Sequence, residues 1–246
     1  MKDLFAFCRS LCDRRAPVTE RTSVSTIGLK VLMGITGLVL VGYISLHMLG
    51  NWQVFLPAVY INQYAYLLQS VPAVLWTVRF VLLVSFVVHV SCAVRLAELR
   101  REARPVRYDQ RKSNGASWES RSMLLTGIGL GLFVVFHLYH FTWHLPPFSE
   151  FERFTAHLSE TKRSVPDVHR MMVEGLRNPW VAGIYLLGMG SLFFHIRHGI
   201  DGIFSSLGLV NRRSFPWERW LAHALGWVFF LGFSAIPVAI LLGWVR

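Results

Sequence analysis

The stretch Gly129–Leu145, GLGLFVVFHLYHFTWHL, sets three histidines, His137, His140 and His144, in a run where every other residue except Thr142 is apolar or aromatic. At helical spacing the three imidazoles share one face, because offsets of three and seven residues return to the same side of a helix. The run is part of a longer charge-free segment, Ser122–Ser149, which is long enough to cross hydrocarbon as a helix. A metal site, a quinone pocket and a polar contact between helices all suit such a face.

The rest of the chain has the same character. It is 246 residues long, 53% hydrophobic and only 16% charged, with nine Trp and eighteen Phe, which is too apolar for an ordinary soluble domain. No charge occurs from Val31 to Val78, although Asn51, Gln53, Asn62, Gln63 and Gln69 interrupt the middle. Further charge-free runs cover Phe80–Val94, Asn178–Ile196 and Trp220–Val245. These runs are continuous rather than alternating, which makes barrel strands the poorer alternative. The sequence therefore predicts an all-α integral membrane protein with five spans, near 27–50, 72–96, 121–145, 179–204 and 218–245. Pro72, Pro146 and Pro179 mark three of the ends. Residues 27–246 read as a single five-helix transmembrane domain, preceded by an N-terminal segment, 1–26, with room for an amphipathic helix and no removable signal peptide.

Charge sets the expected orientation. Residues 1–30 carry six Lys and Arg, Arg95–Arg121 eight and Arg197–Arg219 four, whereas the connection between spans one and two has none. The connection Leu145–Pro179 carries five, matched by five acids. By the positive-inside rule the N-terminus and the connections after spans two and four face the cytoplasm, as expected of a multi-pass protein of a bacterial inner membrane. The formal charge of +11 is thus a topology signal; nucleic acid is not an expected partner and membrane lipid is. Cys8, Cys12 and Cys92 form no C-x-x-C pair, so neither an iron–sulfur cluster nor covalently attached haem is indicated.

One histidine in each of the first four spans lies at a similar distance from the start of its helix. Lys30 to His47 and Pro72 to His89 are 17 residues; Arg121 to His137 and Pro179 to His195 are 16. Because alternate helices run in opposite directions, these become two depths, His47 with His137 and His89 with His195, about 15–20 Å apart. One imidazole from each of two helices at each depth is what two stacked six-coordinate haems require. Counting back from Pro146 instead favours His140 over His137, so spacing leaves that choice open. A single transmembrane histidine that hydrogen-bonds a neighbour is the ordinary alternative, but four at matched depths, where ionisable groups are costly, point to function. Glycines at 34, 37, 42, 127, 129, 131, 183, 188 and 190 suit either tight helix packing or a flat macrocycle. Two ligand histidines on one helix, about 13 residues apart as in the cytochrome b of bc-type complexes, are absent. Arg79, seven residues inside span two, falls at the depth of His47 and His137, where a haem propionate or quinone, or snorkelling to the interface, must compensate its charge.

Two segments carry a family resemblance. SVSTIGLKVLMGITG (Ser23–Gly37) followed by SLHMLGNW (Ser45–Trp52) resembles the opening of the cytochrome b558 subunit of succinate dehydrogenases and fumarate reductases. MMVEGLRNPWVAGIYLLGMGSLFFHIRHGIDGIFSSLG (Met171–Gly208) is similar to that family's fourth span, with its N-P-W entry, ligand histidine and terminal LG. The resemblance implies a five-helix anchor for two b haems, with His47, His89, His137 and His195 as axial ligands, His47 with His137 at the outer haem and His89 with His195 at the inner. It also implies a flavoprotein subunit acting on succinate or fumarate, an iron–sulfur subunit, and quinone as electron partner; the chain itself has no succinate site. The basic segments Met1–Lys30 and Arg95–Arg121 are the expected docking surface, and Tyr64, Tyr66, Gln69 and Trp76 are candidate quinone contacts. His140 and His144 suit a quinone pocket, a proton path or a solvated interface, and His198 the inner propionates, the iron–sulfur partner or a loop. His157, His169 and His223 receive no role. Some members use a helix carboxylate near the outer haem for quinone protons and a fifth-helix glutamate for compensating proton movement; span two and Trp220–Val245 carry no acid, which puts that coupling in doubt. The alternatives are the dihaem b anchor of another respiratory dehydrogenase, such as hydrogenase or formate dehydrogenase, and a haem-free transporter or scaffold.

Overall fold

The computed structural model describes residues 25–102, 118–157, 164–206 and 217–246. The expected N-terminal amphipathic helix and most of both basic docking segments lie outside them. Among the described residues, five helices are long and apolar enough to cross a membrane: Thr26–Phe55 (including a terminal 3-10 turn), Pro72–Glu102, Met123–Phe141, Pro179–Phe204 and Trp217–Leu241. In chain order the α-helices are α1 (Thr26–Asn51), α2 (Ala58–Ser70), α3 (Pro72–Glu102), α4 (Trp118–Phe141), α5 (Val168–Leu176), α6 (Pro179–Ser206) and α7 (Trp217–Leu241), with a short hairpin of β1 (Thr155–His157) and β2 (Ser164–Pro166) before α5.

The helix ends follow from local chemistry. Ser25 caps α1 by accepting the Gly28 N–H at 3.1 Å. The third span stops at Phe141 rather than 145: the Pro146–Pro147 pair disfavours helix in the preceding residue, and His144 takes a left-handed φ of 46°. The fifth stops at Leu241 rather than 245, because Gly243 at φ 73° turns the chain and Trp244 N–H bonds back to Ala239 O at 2.9 Å. The second runs six residues past its expected end at 96, into a polar turn where Arg95 pairs with Glu98 at 3.3 Å.

The packing is unequal among the helices. α1 packs against α3 and α6, α6 against α4 and α7, while α1 and α4, α3 and α6, and α3 and α4 do not pack closely among the described residues. Four of the spans thus form a square with one open edge, in which α1–α4 and α3–α6 are the diagonals. The fifth, α7, backs α6 from outside: Phe229 and Ala222 join Met189, Leu192 and Ile196 in one apolar cluster.

The connections at one end, between α1 and α3 and between α4 and α6, fold into a cap. Val54 and Ile61 meet Met172, Val173 and Leu176 of α5, and the cluster continues into Tyr185 of α6 and Ile236, Ala239 and Ile240 of α7. Asn62 is its polar latch: buried, it donates to Asp167 Oδ1 at 3.0 Å and accepts the His169 N–H at 3.0 Å. Asp167 also accepts the Arg170 N–H at 3.0 Å, capping α5. Asn62→Ala removes two hydrogen bonds to half-buried partners, and about 1–3 kcal/mol of stability is lost. The expected result is a fall of several degrees in the thermal midpoint of the detergent-purified chain; an unchanged midpoint would show that α2 and α5 are not latched here.

Candidate metal and cofactor site

The diagonals of the square are bridged by histidines. His47 of α1 and His137 of α4 face each other with ring centres 5.7 Å apart and planes at 87°. His89 of α3 and His195 of α6 do the same at 6.3 Å and 65°. Each pair therefore spans two helices that do not pack closely on each other.

The two pairs lie at different depths, and three helices give the same offset. Gly37 on α1 faces the His89 ring, with the position of an added Cβ 3.3 Å from His89 Cε1, and His47 follows ten residues later. Gly127 on α4 faces His195, with the corresponding Cβ position 3.5 Å from its Cε1, and His137 follows ten residues later. Tyr185 on α6 touches His137, and His195 follows ten residues later. Ten residues of helix are about 15 Å. Arg79 precedes His89 by ten residues on α3 and so lies at the level of His47 and His137, with its guanidinium 5.0 Å from the Trp76 ring. Its side chain is exposed and within electrostatic reach of Tyr43, which stacks on His47 at 5.4 Å.

Second contacts orient the rings. At the level away from the cap, His89 Nδ1 lies 3.0 Å from Met33 O, and Thr36 Oγ1 is 3.4 Å away. Thr36 Oγ1 is itself 2.9 Å from Leu32 O and donates there, so His89 Nδ1–H donates to the Met33 carbonyl and its lone pair is on Nε2. His195 Nδ1 is buried with no hydrogen-bond partner among the described residues. At the level near the cap, His137 Nδ1 is 3.2 Å from the Tyr185 hydroxyl. His47 Nε2 is 3.1 Å from Asn51 Nδ2, so coordination through that nitrogen requires the Asn51 amide to turn aside.

The donor set limits what fits. No group of three or more His, Cys, Asp or Glu that could hold a metal occurs among the described residues. Two neutral imidazoles alone are a poor site for a bare metal ion, whereas they complete the coordination of an iron whose other four ligands come from a porphyrin. Axial imidazoles on one iron have ring centres roughly 6 Å apart, from a metal–nitrogen distance of ~2 Å on either side plus the offset of each nitrogen from its ring centre. Both observed separations suit that arrangement, and the unpacked diagonals provide the slot. Gly42 and Gly131, five and six residues before His47 and His137, have nothing within 4 Å of an added Cβ.

The remaining candidates scatter. His140 is buried at 0% exposure rather than solvated, because Phe148 and Phe151 of the cap close over it. His144 Nε2 is likewise buried, without a hydrogen-bond partner among the described residues. His223 Nε2 is 3.3 Å from Arg197 Nη2, and His169 joins the cap latch only through its backbone. His198 follows His195 on α6; His157 closes β1. Tyr64 packs its ring over Gly50, Tyr66 is half-buried, and Gln69 and Trp76 are exposed near the capped end. Tyr185, absent from the sequence candidates, is the main addition; its signal is the ten-residue spacing to His195, which puts a hydroxyl at the other histidine level. In comparisons with known proteins, no family model, curated protein or solved structure matches the chain.

Proposed function

We propose that this chain is a dihaem cytochrome b, the membrane anchor of a succinate:quinone oxidoreductase. The supporting observation is the pair of opposed imidazole sets, each bridging two helices that do not pack closely, about 15 Å apart along three separate helices. His89 and His195 hold the inner haem, His47 and His137 the outer, and each bound haem b supplies one-electron transfer. The chain contributes ligation, burial and spacing. Met33 fixes the His89 tautomer, the apolar spans exclude water, and Arg79 offers its guanidinium to an outer propionate or to quinone.

In this reading the uncapped end faces the cytoplasm of a bacterial cell, where the basic segments 1–30 and 95–121 dock an iron–sulfur subunit carried with a flavoprotein. The cap faces outward and quinone exchanges electrons near it. The succinate or fumarate chemistry resides in the flavoprotein, and the family resemblance of Ser23–Trp52 and Met171–Gly208 favours that partner over a hydrogenase or formate dehydrogenase. Affinity purification of the tagged chain from its native membranes tests the assignment. The expected preparation carries flavin and iron–sulfur centres and reduces a quinone analogue with succinate. Nickel or molybdenum in place of flavin would transfer the anchor to one of the other dehydrogenases.

A further inference from the structure

The hydrogen bond from His137 does not end at Tyr185. The Tyr185 hydroxyl lies 3.2 Å from His137 Nδ1 and 2.9 Å from His140 Nδ1, so one oxygen bridges two imidazoles a helical turn apart. A phenol has a single proton, and it donates to one ring while accepting from the other. Ligation through His137 Nε2 leaves the proton on Nδ1, which donates to the Tyr185 oxygen. The Tyr185 O–H then donates to His140 Nδ1, and His140 carries its own proton on Nε2.

That nitrogen is where the arrangement is least expected on grounds of packing. His140 is fully buried, stacked on Phe141 at 3.9 Å and against Phe148 at 4.2 Å. Its Nε2 has no hydrogen-bond partner among the described residues. Gly175 of α5 sits over it so closely that an added Cβ would lie 2.9 Å from Nε2. A phenylalanine would fill the same aromatic cage without an orphaned N–H. The histidine is therefore accounted for by its Nδ1, which gives the Tyr185 proton a fixed destination.

We infer that Tyr185, backed by His140, is a positioning residue that fixes the tautomer and ring plane of His137 and lowers the reduction potential of the outer haem. This rests on the dihaem reading above. A hydrogen bond from the distal nitrogen of a ligating imidazole strengthens it as a donor, which favours the oxidised iron. The acceptor here is a side chain whose proton is already committed to His140, so the oxygen is held with its lone pairs toward His137 and each bond polarises the next. The inner site has no counterpart, since His89 donates to a backbone carbonyl and His195 Nδ1 has no partner among the described residues.

The test is a redox titration of the complex purified from membranes, following the haem absorbance, with the outer component identified by its loss in His47→Ala. In Tyr185→Phe, which keeps the ring and removes the hydroxyl, both haems are retained and the outer potential rises. The shift corresponds to up to about a tenfold change in the reduction equilibrium, or roughly 59 mV for one electron. His140→Phe shifts it less, in the same direction, and serves if the tyrosine variant does not accumulate. Two retained haems with an unmoved outer potential in both variants would overturn the inference, as would equal shifts of both haems, which signal a general packing change. Absence of haem from the unmutated complex would instead remove the dihaem reading on which it rests.

Discussion

If the chain holds two haems as proposed, His137→Ala is expected to reduce the haem content from two to one per chain and to leave the other haem spectrally intact. His47→Ala is expected to give the same product, because either substitution removes one member of the facing His47–His137 pair proposed to ligate that haem. His89→Ala and His195→Ala each leave the complementary haem. The selectivity comes from the bundle: the pairs lie about 15 Å apart and cross different diagonals, so losing one set leaves the ligands of the other in place. Pyridine haemochromogen analysis of the four purified variants counts the haem, and low-temperature difference spectra identify which component remains. Loss of both haems from every variant would mean that the two levels are not independent sites.

The second large effect comes from a residue that ligates nothing. Gly37→Val places a branched side chain on α1 where a single Cβ would already be 3.3 Å from His89 Cε1. The ring can yield a few tenths of an ångström to a methyl group, but not to a branched pair of them without breaking the 3.0 Å contact with Met33 O. Overpacking of this kind costs about 1–3 kcal/mol, so affinity for the haem proposed at His89 and His195 is expected to fall by roughly 10–100-fold. Gly42→Val, midway between the two levels on the same helix and with nothing within 4 Å of an added Cβ, is the control. Haem titration of the apo chain in detergent reads both. Equal loss of the two haems from Gly37→Val would show that this glycine serves general helix packing.

The five spans were legible because crossing hydrocarbon demands long charge-free runs, and little else in the sequence competes with that signal. The histidine levels were legible for a related reason: with helix starts marked by Lys30, Pro72, Arg121 and Pro179, rise per residue converts counting into depth. The cap was not legible. Leu145–Pro179 mixes charges of both signs with short apolar stretches, and its hairpin and nine-residue α5 are too short to declare themselves by periodicity. Their stability comes from contacts distant in sequence, such as Asn62 with Asp167, which no local pattern announces. The same gap hid His140. Read along its own helix it approaches the surface, but Phe148, Phe151 and Gly175 arrive from the cap and enclose it. Tyr185 was missed because a tyrosine in an apolar helix attracts no attention until its hydroxyl is seen between two imidazoles.

The most direct measurement is a dithionite-reduced minus oxidised spectrum of the purified chain, with haem counted as the pyridine haemochromogen. Two b-type haems per chain are expected, from the two opposed histidine pairs. A folded chain without haem would contradict the cytochrome assignment and leave the four histidines as polar contacts between helices.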